Sequence, residues 1–173
     1  MAASVFIPGL IAVSIKAPTD QNFALLGYCR DGVTIRENLR IRPIHGDEGG
    51  GPDGVPVDFS YLGEYHDVRL ELYKYDGPVL AKVANRLSTT TDKARNKAFE
   101  PGWMIRSAGD HFVLRLQTEH RFTNPPSPAF ARTYNVAIPT SPIEYPLGPK
   151  EMIVLVEFTC LPDATGTLFT VPT

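Results

Sequence analysis

The chain predicts a mainly β fold, a sandwich or barrel with one flanking α-helix and one long glycine-rich loop. Apolar and polar residues alternate with period two in four separate segments. Sixteen prolines and fourteen glycines in 173 residues supply the turns that many short strands need. Only one stretch carries apolar residues at helical spacing. At this length and with 43% hydrophobic residues, a single domain spanning residues 1–173 is expected.

Taken in order, residues 1–16 (MAASVFIPGLIAVSIK) are apolar but lack the basic start of a signal peptide and contain a Pro-Gly break. They are expected to form a strand or an N-terminal docking arm. After Gly32, one parity carries Val33, Ile35, Leu39 and Ile41, interrupted by Glu37. The other carries Thr34, Arg36, Asn38, Arg40 and Arg42, which describes a half-buried strand with a cationic outer face. From Asp67 the pattern returns, with Val68, Leu70 and Leu72 opposed to Arg69, Glu71 and Tyr73.

Asp76 then offers an N-cap, and Pro78 suits a first helical turn where its missing N–H is not needed. Val79, Leu80, Val83 and Leu87 follow as one apolar stripe, expected to plug a β scaffold. Residues 111–119 form the third alternating segment. Residues 152–160 form the fourth, apolar on both faces in its first half, as in a barrel wall or a subunit contact. A short last strand is expected over residues 167–171, after the turn at 162–166.

Two loops stand out. Residues 45–56 (HGDEGGGPDGVP) hold five glycines and the acids Asp47, Glu48 and Asp53, with no Lys or Arg. Their ordering entropy predicts mobility in an isolated monomer. Residues 123–128 (TNPPSP) predict a stiff, extended connector.

Chemistry is thinly represented. The four histidines, His45, His66, His111 and His120, lie in no metal-binding spacing, and no nucleophile elbow or phosphate loop occurs. The run Gly49-Gly50-Gly51 is acidic around and has no following Lys, so it is unsuited to phosphate. Neither catalytic nor metal-ligating residues nor a cofactor are expected. Cys29 and Cys160 are too few for a disulfide framework and are expected as free, partly buried thiols. The net charge of −2 argues against tight grip on nucleic acid, and no run is long enough for a transmembrane helix. Arg36, Arg40 and Arg42 are expected to meet acidic residues of a neighbouring subunit. Tyr61, Tyr65, Tyr73, Tyr75 and Trp103 leave a carbohydrate-binding sandwich as a competing reading.

Several elements together resemble the tail tube (major tail) proteins of tailed bacteriophages. They are Leu26-Gly27 leading to Gly32-Val33-Thr34-Ile35 and the acidic glycine-rich loop, then Gly63-Glu64 before Val68-Arg69-Leu70-Glu71-Leu72. Asp76 with Val79-Leu80 follows, and then residues 142–148 (PIEYPLG) before the last long strand. The resemblance covers roughly residues 20–170. It implies a β sandwich or barrel with one helix, six copies of which form a ring, with rings stacking into a conduit for DNA. The type VI secretion tube protein shares that architecture. It also implies that residues 43–58 are an assembly loop reaching an adjacent ring and that the N-terminal residues dock on a neighbour. Inter-subunit contact is accordingly expected at Asp47, Glu48, Gly49, Gly50, Gly51, Asp53, Arg36, Arg40 and Arg42. The implied partners are the chain itself and other virion tail or head proteins, with DNA passing unbound and no membrane. The implied location is the virion tail, assembled in the host cytoplasm. A capsid decoration or tail-completion protein on a related β-scaffold is the alternative, and an enzyme is not expected. The proline-rich 124–128 segment and the dense glycines of the loop depart from the family pattern.

Overall fold

The computed structural model describes residues 2–7, 9–84, 110–118, 131–140 and 153–171. Seven strands make one antiparallel sheet. They are β1 (Ala2–Ile7), β2 (Ile11–Lys16), β3 (Ala24–Ile44), β4 (Asp58–Tyr75), β5 (Phe112–Thr118), β6 (Ala131–Pro139) and β7 (Val154–Leu161). Their order is β1-β3-β2-β5-β6-β7-β4, and β4 pairs back onto β3. Six strands therefore close into a barrel, and closure satisfies backbone groups that an open sheet would leave at its edges. Of the two architectures expected, the barrel is the one adopted.

Alternation explains the wall. Val33 and Ile35 on β3, Val68, Leu70 and Leu72 on β4, and Val154, Val156 and Phe158 on β7 are buried in a single core. Their odd-even partners Thr34, Arg36, Arg69 and Glu71 are exposed. β3 is the long spine of the molecule. Its first part pairs with β2 up to Cys29↔Ile11, and its next part pairs with β1 from Val33↔Ile7. The change of neighbour falls at Arg30-Asp31-Gly32, where Gly32 takes a φ of 105° that a side chain would strain. Residues 2–7 and 11–16, read from sequence as strand or docking arm, thus lie in the chain's own sheet. β6 has no counterpart among the expected strands, and the strand expected over residues 167–171 reduces to one bridge, Thr133↔Thr170.

One end of the barrel carries α1 (Gly77–Ala84). The Asp76 side chain accepts a hydrogen bond from the Val79 N–H at 2.9 Å, and its backbone carbonyl accepts from Leu80. The predicted cap is therefore in place. Leu80 and Val83 are buried in the core, so the stripe closes this end. Leu87, Trp103, His120 and the segments 123–128 and 142–148 lie outside the described residues.

At the other end, β3 and β4 run on past the barrel as a two-stranded arm. Residues 39–44 pair only with residues 58–64 among the described strands. The register shifts between Arg40↔Gly63 and Ile41↔Tyr61, which leaves Leu62 as an extra residue in a bulge.

Candidate assembly surface

The arm has two faces, each an extension of one face of the barrel wall. Cross-strand partners share a face, so Leu39↔Glu64, Ile41↔Tyr61 and Pro43↔Phe59 continue the inward face that holds Ile35↔Val68 and Glu37↔His66. Beyond the barrel rim nothing described covers that face. Leu39 is 42% exposed, Ile41 43%, Phe59 56% and Tyr61 63%. A core-facing stripe has been carried into solvent, and its contiguity is what marks a contact surface.

The opposite face is cationic, as expected. Arg36, Arg40 and Arg42 lie on it at successive or alternate outward positions of β3, with Asn38 between the first two. Asp67, directly across from Arg36, accepts hydrogen bonds from Asn38 Nδ2 and Thr159 Oγ1, both at 2.8 Å. Arg36 and Arg42 make no ion pair among the described residues, whereas Arg40 lies over the Tyr65 ring and donates to its hydroxyl at 3.2 Å. Leu62, pushed out by the bulge, lines a groove of about 490 Å³ with Arg42, Ile44, His45 and Ser60.

The acidic loop forms the tip. Asp47–Gly49 and Gly51–Asp53 are two 3-10 turns, hinged at Gly50 with φ 94° and Gly51 with φ 75°. Gly49 and Gly54 permit backbone contact that no side chain allows. A Cβ on Gly54 would sit 1.9 Å from the Gly49 carbonyl oxygen. The Val55 N–H donates to that same oxygen at 2.9 Å, and Val57 donates to Ile44 at the neck of the loop. The glycines therefore build a compact turn, where composition alone argued for entropy. Asp47 and Asp53 are exposed on it.

At the root of the arm, the inward face turns polar as it enters the barrel. His66 is buried, and Glu64 Oε1 lies 3.0 Å from its Nε2. A carboxylate only accepts, so Nε2–H is the donor there, and Nδ1 lies 3.1 Å from the Tyr134 hydroxyl. Burial pushes the Tyr134 hydroxyl up to about 12, opposed by a hydrogen bond from Arg132. Phe169 packs against His66 and Tyr134 with ring centroids 5.8 Å away, and Arg132 lies over Phe169 while approaching Glu37 at 3.5 Å. This seam closes the barrel mouth with the segment bearing Phe169.

Compared with known proteins, the chain matches no family model and no curated protein.

Of the residues expected to make contacts, the structure gathers Asp47, Gly49, Gly50, Gly51 and Asp53 at the tip, with Glu48 in the same turn. It sets Arg40 and Arg42 on the stem of the arm and Arg36 on the barrel wall below it, so the acidic and basic groups are separate. Of the aromatics of the carbohydrate reading, Tyr61 and Tyr65 occupy opposite faces of the arm. Cys29 and Cys160 are free and fully buried. Burial raises the Cys29 thiol to about 12 and the Cys160 thiol well above its usual value, which suppresses the reactive thiolate. No cluster of three or more His, Cys, Asp or Glu suited to a metal occurs among the described residues, and none of their helices is long and apolar enough to cross a membrane. Sequence reasoning missed the apolar face of the arm and the His66 seam. The signal for His66 was its parity with Val68 and Leu70. The signal for the arm was the continuation of Leu39 and Ile41 toward a loop, where a strand core should have ended.

Proposed function

We propose that this chain is a self-assembling structural subunit of a phage virion, forming stacked rings that make the tail tube through which DNA passes. The observation that carries the reading is the arm: a two-stranded extension whose inward face carries exposed apolar side chains beyond the polar root at the barrel rim. A second copy supplies the cover that this face lacks. The closed barrel with a single flanking helix agrees with the tail tube resemblance, and the glycine-built tip lies where that family's assembly loop is expected. Partners are then further copies of the chain and other tail or head proteins, and a slightly acidic subunit suits a conduit that should not retain phosphate contacts.

Negative-stain electron microscopy of the purified protein over a concentration series tests the reading. Sixfold rings or hollow stacked tubes are expected. Threefold particles, or binding to capsids alone, would move the chain to a decoration role on the head. A monomer at every concentration would count against self-assembly.

A further inference from the structure

The stem and tip of the arm carry opposite charge, and nothing within the described chain neutralises either. The stem presents Arg40 and Arg42 on its outward face, near Asp58, and Arg36 continues that face on the barrel wall, where Asp67 is already held by Asn38 and Thr159. Asp47 and Asp53 lie exposed on the tip and make no ion pair among the described residues, although Arg42 lines a groove beside them. A chain that holds both halves of a complementary pair and joins neither internally is arranged to join them between copies.

We propose that the acidic tip of one copy seats at the arginine end of the next copy's arm, in the groove that Arg42, Ile44, His45 and Leu62 form with Pro52 of that copy's own loop. This rests on the self-assembly reading and specifies its polarity. The occupant is a second copy of this chain, chosen by charge complementarity. The groove offers a guanidinium and an imidazole beside two aliphatic side chains, which fits a turn carrying carboxylates between glycines. Because the exposed carboxylates and the groove that receives them are different surfaces, the contact is head-to-tail, and repeated contacts generate a closed ring or an open filament rather than a twofold dimer. Individual exposed ion pairs are weak. Their role here is register and direction, while the apolar inward face supplies the buried area. The contact should weaken with salt, since the screening length is about 8 Å at physiological ionic strength.

Charge exchange in the full-length protein provides the test. Arg36→Glu with Arg42→Glu gives one variant and Asp47→Lys with Asp53→Lys the other, with circular dichroism confirming that each folds. None of these four side chains makes a hydrogen bond or ion pair among the described residues. Each variant alone should need at least tenfold higher concentration than wild type to assemble by sedimentation velocity. A tagged copy of one should capture the other when mixed, because each tip then meets a stem of opposite charge. If wild type assembles and both variants assemble equally well, the tip-to-stem contact is wrong and the self-assembly reading stands. If wild type never assembles, both fall. Should the arginine variant lose duplex DNA binding that wild type shows, while assembly is untouched, the stem is a nucleic-acid surface and the proposal is overturned.

Discussion

Single side chains decide how the barrel mouth is sealed. His66 is nearly inaccessible, yet both ring nitrogens are bonded, one to Glu64 and one to Tyr134. Changing Tyr134→Phe keeps the packing and removes the hydroxyl partner of Nδ1, leaving a buried nitrogen unsatisfied. We expect a loss of about 1–3 kcal/mol, read from urea unfolding. Asp163 orders the turn that leads to Phe169. Its Oδ1 accepts from the Thr165 hydroxyl at 2.6 Å and from the Thr165 and Thr167 N–H groups, and Asn135 donates to Oδ2 at 2.9 Å. Hydrogen bonds from Thr165 first, then Asn135, lower its carboxyl from 3.8 to about 2. A depressed folded value means that the stabilisation is present above the unfolded value and lost as pH falls through the folded one. Asp163→Ala should therefore narrow its stability gap to wild type between pH 4 and pH 2, as followed by urea midpoints across that range.

Among the elements, the arm depends most on backbone geometry. Gly54→Ala would drive a Cβ into the Gly49 carbonyl, so the tip must open while the barrel stays intact. The loss should be local to the tip, with the unfolding midpoint of the barrel little changed, since the site is remote from the core. Hydrogen exchange at the Val55 amide should accelerate, and assembly should require more protein. Much of this architecture was legible beforehand. The Asp76 cap and Pro78 announced α1, and the alternation after Gly32, interrupted only at Glu37, announced the two faces of β3. Three things were hidden, each for a physical reason. β6 (ARTYNVAIP) has adjacent buried residues at Val136 and Ala137, which breaks period two. Barrel closure follows from pairing between β3 and β4 over their whole length, and local pattern does not specify which distant edges meet. The apolar face of the arm was concealed because Phe59 and Tyr61 have the opposite parity to Val68 until the Leu62 bulge is known.

For the whole molecule, the core and the surface proposed for assembly are one continuous sheet face divided by the barrel rim. Val33 and Ile35 are buried in the core, whereas Ile41 and Tyr61 on the same face are exposed. The double change Ile41→Ser with Tyr61→Ser should accordingly separate folding from association. Thermal unfolding of the monomer should shift little, while sedimentation should show assembly reduced by tenfold or more. An equal loss of both would mean that the stripe serves the fold of its own chain. Helix and polar seam sit at opposite ends of the barrel, so this division leaves the arm end as the side from which the molecule reaches outward.

The bulge at Leu62 also governs which changes in chain length β4 can survive. From Glu64 to Leu72, even-numbered residues point inward; below the bulge, odd-numbered residues do. Removing Leu62 itself would erase the irregularity and leave every other side chain on its present face. Removing any single residue between the bulge and Val68 would instead turn Phe59 and Tyr61 to the arginine side, unless the bulge were lost in compensation. A scan of one-residue deletions should thus find a lone tolerated position inside an intolerant stretch, with solubility and assembly as the readouts. Length, as well as composition, is under constraint in this strand.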